Sequence, residues 1–127
     1  MNIAIDTNAL VDFFRGKTPI KFELQKHEKI YTPLIVIAEL RAGFLCGKKG
    51  LENEKLLTRF LGSPRTEILL PDEDTTHHYA KLFQQLRSQG TPIPTNDLWI
   101  GALCLQHDLA LLSSDKHFAT IPQLILL

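Results

Sequence analysis

The sequence predicts an α/β domain with a three-layer α/β/α architecture and a central parallel sheet of about five strands. Short apolar stretches alternate along the chain with longer stretches that have helical periodicity. The strands are apolar throughout, which is typical of parallel strands covered on both faces. With 127 residues, of which 44% are apolar and 22% charged, the chain is expected to form one domain over residues 1–127.

The predicted strands are short and lack the alternation of apolar and polar residues that marks a half-exposed strand. In chain order they cover Asn2–Asp6, Lys29–Thr32, Thr66–Leu70, Leu109–Ser113 and Gln123–Leu127.

The predicted helices have an apolar face or are apolar throughout. In chain order they cover Asn8–Arg15, Pro19–His27, Pro33–Cys46, Leu51–Leu61, residues 71–89 and Thr95–Gln106. Gly16, Gly47 and Gly90 follow three of them at positions where glycine commonly ends a helix. Pro33 fits a first helical turn, where its missing N–H costs nothing.

The charge balance excludes one class of protein. Lys+Arg and Asp+Glu both number 14, so the formal net charge is zero. Domains that coat nucleic acid by bulk electrostatics are usually strongly basic. An enzyme acting on nucleic acid would therefore need local contacts, a metal ion or a second subunit.

The sequence predicts a cytoplasmic protein. Cys46 and Cys104 lie in apolar segments and are expected to be small buried side chains rather than a disulfide or metal pair. The N-terminus lacks the basic region of a signal peptide. No stretch approaches the roughly 18 uncharged apolar residues that a membrane span requires, so no membrane association is expected.

Three aspartates are expected to meet at one edge of the sheet. Asp6 ends the first strand, Asp115 follows the fourth, and Asp97 lies at the start of an apolar helix. Ligands in parallel sheets gather at the carboxyl ends of the strands. Each residue also has a structural explanation: Asp6 suits a helix N-cap, Asp97 suits the helix dipole, and Asp115 suits a turn.

Glu39 is expected to be buried, because it interrupts the apolar segment Leu34–Leu40. A lone buried glutamate costs several kcal/mol unless it is paired or bound to a cation. An ion pair with Arg41 or Lys48 is the alternative, although Arg41 does not share its helical face.

Taken together, these four carboxylates point to a metal site. Gathered carboxylates repel one another and raise each other's pKa, so they are stable together only with a cation. Oxygen donors suit Mg²⁺ or Mn²⁺, and such ions serve phosphoryl chemistry. Asp12 is a further candidate beside Asp6. His117 lies where it could contact a phosphate, and a surface role is the alternative.

Four segments in order resemble the PIN-domain family, and within it the small VapC-type toxins of bacterial toxin–antitoxin pairs. These segments are IDTNALVDFF, PLIVIAELRAG, TNDLWIGALC and LLSSDKHFATIP, and they span nearly the whole chain. The resemblance implies that the acids Asp6, Glu39, Asp97 and Asp115 bind Mg²⁺ or Mn²⁺ and carry catalysis. It also implies supporting roles for Thr7, Asn8, Asn96 and Ser113. Ser-Ser-Asp replaces the family's more frequent Thr-x-Asp and keeps the hydroxyl.

The resemblance further implies cleavage of RNA inside the strand by a metal-activated water, leaving a 3′-hydroxyl and a 5′-phosphate. A homodimer bound by a small cognate antitoxin is expected by the same analogy. A housekeeping RNA-processing nuclease and a non-catalytic scaffold that binds RNA or protein are the alternatives within the family. A haloacid-dehalogenase-type phosphatase is disfavoured, because Asn8 stands where that chemistry needs a second aspartate. A receiver module is disfavoured as well, because no adjacent acidic pair follows the first strand.

Overall fold

The computed structural model describes residues 2–127 and contains a four-stranded sheet in the order β3-β2-β1-β4. The strands are β1 Ile3–Ile5, β2 Ile30–Pro33, β3 Thr66–Leu69 and β4 Ala110–Leu112. Every neighbouring pair of strands is parallel. The predicted α/β class is therefore confirmed.

Within residues 2–127, six α-helices and one 3₁₀-helix flank the sheet. The α-helices are α1 Thr7–Phe14, α2 Thr18–Gln25, α3 Leu34–Cys46, α4 Gly50–Leu61, α5 Glu73–Gln89 and α6 Thr95–Gln106, and the 3₁₀-helix is Lys116–Thr120. All three residues of β1 are fully buried, as is nearly all of β4. Since successive side chains of a strand point to opposite faces, the centre of the sheet is covered on both sides.

The predicted fifth strand at Gln123–Leu127 is wrong, because this segment makes only one parallel bridge, between Leu126 and Leu111. The Leu111 N–H donates to the Ile125 carbonyl at 2.8 Å, and the Leu127 N–H donates to the Leu111 carbonyl at 2.8 Å. A turn occupies Pro122 and Gln123, so only the last few residues run beside β4. The sheet thus has four strands rather than five.

Close packing between α5 and α6 holds the helix that carries Asp97. Gly101 of α6 is buried, and a Cβ atom there would lie 3.1 Å from the side chains of both Leu82 and Ile121. α5 itself is capped at both ends. Asp72 and Thr75 form a reciprocal capping box, and Gly90 follows the last turn with a left-handed backbone, φ 75°.

The prediction that both cysteines are buried is right for Cys104 and wrong for Cys46. Cys104 lies within α6 and is 1% exposed, whereas Cys46 is exposed at the end of α3. The last turn of α3 extends beyond the packed core, so its apolar residues meet solvent; Leu45, for example, is 89% exposed. The apolar neighbours of Cys46 in the sequence therefore led to a wrong prediction that it is buried.

Within residues 2–127, every helix is too short or too polar to cross a lipid bilayer.

Candidate active site

The pairing of β1 with β4 places Asp6 beside Ser113 at the carboxyl edge of the sheet. Ile5 is in register with Leu112, and the Asp6 N–H donates to the Leu112 carbonyl at 3.3 Å. The residues that follow these two strands are therefore neighbours in space. The shared edge expected from the sequence is present.

Asp6 is both a helix cap and a member of the acidic cluster. Its side chain is buried, with the residue 3% exposed. Oδ1 accepts from the Ala9 N–H at 2.9 Å, which caps α1, and Oδ2 accepts from the Ser113 hydroxyl. Burial raises the pKa of Asp6, and the carboxylates of Asp115 and Asp97 raise it further, against the lowering effect of both hydrogen bonds.

Ser113 links Asp6 to the loop that carries Asp115. Its hydroxyl donates to Asp6 and accepts from the Asp115 N–H at 3.0 Å. Asp115 in turn caps the 3₁₀-helix, with Oδ1 accepting from the His117 N–H at 2.9 Å. This chain of bonds fixes the distance between the two acids through one hydroxyl group.

Glu39 lies on α3 and is half-buried rather than buried as predicted. Oε1 accepts from the Thr7 hydroxyl at 2.7 Å. The alternative ion pair with Arg41 is not formed, because Arg41 Nε lies 2.9 Å from Glu54 Oε1 on α4. Glu39 is thus held by the residue directly after Asp6, on the part of α3 that borders the cleft.

Asp97 lies in the first turn of α6, where the helix dipole favours a negative charge. Oδ2 is 2.9 Å from Nδ1 of His117, and the side chain is 15% exposed. Burial raises the pKa of Asp97, and Asp115 and Glu39 add to this effect while His117 opposes it. The raised pKa of both Asp6 and Asp97 reflects negative charges that are crowded and partly dehydrated.

All four predicted acids line one cleft, made of two adjoining pockets that share Glu39, Asp97 and Asp115. The larger pocket, about 460 Å³, is also lined by residues 94–96 and by His117. The smaller pocket, about 100 Å³, reaches Asp6, Thr7 and Asn8. The structure therefore brings these four acids together with Thr7, Asn8 and Asn96, and Ser113 joins them through its hydrogen bond to Asp6.

Two minor assignments change. Asp12, considered as a companion of Asp6, instead forms an ion pair with Lys17 at 3.1 Å and does not line the cleft. His117 is exposed, as expected of a surface residue, and its ring in addition contacts Asp97 and Asp115. The signal for this contact was its spacing: two residues after Asp115, within a turn that Asp115 caps.

The donor set fits a divalent cation. One ligand atom from each of Asp97, Asp115 and His117 lies within 4.8 Å of the others. Glu39 and Asp6 border the same cleft, where burial and the nearby carboxylates of Asp115 and Asp97 raise the pKa of Asp6. A cation at this position would neutralise the repulsion among these carboxylates.

Known proteins are similar to this chain in sequence and in fold. The family model for the PIN domain matches residues 3–124. Ribonuclease VapC1 of Haemophilus influenzae (strain R2866) is 30% identical over 125 residues, covering 94% of this chain and 92% of the relative. Ribonuclease VapC2 of Rickettsia felis is 35% identical over 104 residues, covering 81% of this chain and 76% of the relative.

A solved structure is also similar over the whole chain. The crystal structure of VapBC2 from Rickettsia felis, bound to a DNA fragment from their promoter, superposes with a TM-score of 0.88 at 29% identity. The match covers 100% of this chain and 98% of that one.

Proposed function

Because this chain belongs to the PIN-domain family and, within it, to the VapC ribonucleases, we propose that it is a metal-dependent endoribonuclease that acts as the toxin of a type II toxin–antitoxin pair. The observation that carries the proposal is the cleft in which Asp6, Glu39, Asp97 and Asp115 meet. These acids come from separate elements of the fold, and they share no structural task that requires them to be close.

PIN nucleases generally use a divalent metal, and we assign its binding here to the same four acids. Their oxygen donors suit Mg²⁺, and Mn²⁺ is the alternative. A bound ion of this kind lowers the pKa of a coordinated water and offsets the charge that develops on the phosphodiester during in-line attack.

The chain's own residues hold the acids ready for this task. The Ala9 N–H and the Ser113 hydroxyl fix both oxygens of Asp6, and the Thr7 hydroxyl fixes Glu39. Ordered ligands lose little conformational entropy when an ion binds. Asn8 and Asn96 are exposed at the edge of the cleft, where their amides are available to the sugar or phosphate of the substrate.

Electrostatics supports a requirement for metal at the stage of substrate binding. The phosphodiester and the four acids are all anionic, and the chain as a whole has zero formal net charge to attract RNA. Without a cation, the cleft repels the bond that it is to cleave. We therefore expect that the same ion that assists cleavage also permits RNA to enter, with products that carry a 3′-hydroxyl and a 5′-phosphate.

We propose two protein partners, an antitoxin and a second copy of this chain, of which the solved relatives support the first. The similar crystal structures are toxin–antitoxin complexes, so a small cognate antitoxin is proposed for this chain. A homodimer is proposed as its assembly, with residues 1–127 as one nuclease domain. We propose a cytoplasmic location, because the proposed RNA substrate is found there.

A cleavage assay tests the enzymatic part of the proposal. The purified chain should cleave RNA with Mg²⁺ or Mn²⁺ and should stop when EDTA is added. Asp97→Asn should abolish cleavage, whereas Asp12→Asn, which changes an acid outside the cleft, should retain it. Cleavage that persists in EDTA would contradict the metal mechanism, and an active Asp97→Asn variant would contradict the assigned site.

Growth after induced expression tests the biological part. Wild-type protein should arrest growth, and Asp97→Ala should relieve the arrest. A wild-type chain that cleaves RNA in vitro but is harmless in cells would favour a processing nuclease over a toxin.

A further inference from the structure

His117 lies against two of the cluster's acids through a single ring nitrogen. Nδ1 is 2.9 Å from Asp97 Oδ2 and 3.2 Å from Asp115 Oδ1. The backbone N–H of His117 also donates to Asp115 Oδ1, so the 3₁₀ turn holds the backbone of His117 beside Asp115. The imidazole lines the larger pocket together with the carboxylates.

The two distances from His117 Nδ1 to the carboxylate oxygens are those expected between neighbouring ligand atoms of one metal ion. Ligands at adjacent corners of an octahedron with bonds of about 2.1 Å are about 3 Å apart. Both measured distances are close to that value. One hydrogen bond accounts for only one of them, because Nδ1 of an imidazole carries at most one hydrogen.

We propose that His117 is a nitrogen ligand of the cation held by Asp97 and Asp115, and that this nitrogen makes the site prefer Mn²⁺ to Mg²⁺. The inference rests on the proposed function of this cleft and specifies its ion. Both ions favour oxygen ligands, but Mn²⁺ is a first-row transition ion and accepts an imidazole nitrogen more readily than Mg²⁺, which is bound in proteins almost entirely by oxygen. A cluster of four carboxylates alone gives no comparable reason to select between the two ions.

The direct test is spectroscopic and requires no RNA. Mn²⁺ is added to the full chain, without a histidine tag, and electron spin-echo envelope modulation reports any ¹⁴N nucleus bonded to the ion. We expect an imidazole ¹⁴N coupling in the wild type that disappears in His117→Ala. His77→Ala is the matched control, because His77 is exposed on α5 outside the cleft, and it should retain the coupling.

Affinities give the second readout. We expect His117→Ala to weaken Mn²⁺ binding by about tenfold or more and to leave Mg²⁺ binding within about twofold. A wild-type spectrum without ¹⁴N coupling would overturn the proposal. Equal losses for Mn²⁺ and Mg²⁺ would overturn it as well, since they would show that His117 only positions the carboxylates.

The experiments distinguish failure of the His117 ligand proposal from failure of the proposed nuclease function. Bound Mn²⁺ with ¹⁴N coupling but no RNA cleavage would support the ligand and reject the nuclease. Metal-dependent RNA cleavage by a protein without ¹⁴N coupling would retain the nuclease and reject the ligand.

Discussion

Ser113 donates its hydroxyl hydrogen to Asp6 although 107 residues separate the two in the chain. The same oxygen accepts from the Asp115 N–H, so one small side chain connects two acids of the cleft. The connection exists because β4 lies next to β1, with Leu112 in register with Ile5.

Ser113→Ala is expected to weaken metal binding and RNA cleavage by about 10- to 100-fold, the usual cost of removing a group that orients a metal ligand. The pKa of Asp6 should rise further, because one of the bonds that lowers it is lost. Calorimetric metal titration and initial cleavage rates measure both effects. Ser114→Ala is the matched control: Ser114 is exposed, and its loss should change neither quantity. Equal behaviour of the two variants would contradict the role given to Ser113.

Asp6→Asn is expected to abolish cleavage while stabilising the metal-free fold at pH 7. The folded-state pKa of Asp6 is raised, first by burial, so its contribution to stability is full at low pH and is lost as the pH rises through that pKa. Asparagine resembles the protonated acid and still caps α1. The gain in free energy of unfolding should therefore shrink from pH 7 towards about pH 4.

Denaturant titrations in EDTA across this pH range measure the difference between the two proteins. With ion at about 100 times its dissociation constant, the wild type should gain about 2.7 kcal/mol, and the variant less. A variant that is less stable than the wild type at pH 7 in EDTA would contradict the interpretation that these acids are crowded in the metal-free fold.

Two buried threonines should respond in opposite directions to the same substitution. Thr32 and Thr75 are both 0% exposed. Thr32 Oγ1 lacks a hydrogen-bond partner among residues 2–127. Thr75 Oγ1 accepts from the Asp72 N–H at 2.9 Å and donates to Gln106 Oε1 at 2.6 Å. Thr32→Val should raise the free energy of unfolding by about 1 kcal/mol. Thr75→Val should lower it by about 1–3 kcal/mol. Chemical denaturation of both variants decides, and a destabilising Thr32→Val would show that its hydroxyl is satisfied.

Only one of the two thiols should react in the native protein. Cys46 is exposed, whereas Cys104 is buried, and burial together with the nearby Asp6 raises the pKa of its thiol to about 12. Titration with a disulfide reagent should thus modify one thiol per chain before denaturation and two after it. Cys46→Ser should leave no native reactivity; rapid modification of that variant would place Cys104 within reach of solvent.

Much of the fold could be predicted because burial imposes a clear pattern. The continuous apolar runs at Ile3–Ile5 and Ala110–Leu112 are those of strands covered on both faces, and they form the centre of the sheet. Residues that follow parallel strands lie at one edge of the sheet, which is how Asp6 and Asp115 could be grouped; their contact depends on β4 pairing with β1. Their role as metal ligands stays a prediction.

Other features depend on contacts that no local pattern reveals. Glu39 was expected to be buried because its neighbours are apolar, yet α3 borders the cleft at this point and leaves it half-exposed. The contacts of His117 depend on how a short 3₁₀ turn meets the first turn of α6. The missing fifth strand depends on where a turn at Pro122 directs the last residues. Each of these outcomes is decided by tertiary packing.

The strand order also determines at which point of synthesis this cleft can form. A nascent chain that stops before Ala110 already contains Asp6, Glu39 and Asp97, but it has no β4 to stand beside β1 and no Ser113 to hold Asp6. The cleft can therefore be completed only after the segment from Ala110 to His117 has been made and β4 has paired with β1. A fragment that stops before Ala110 is therefore expected to lack the assembled acidic cleft, because Asp115 and the partner strand of β1 are both missing.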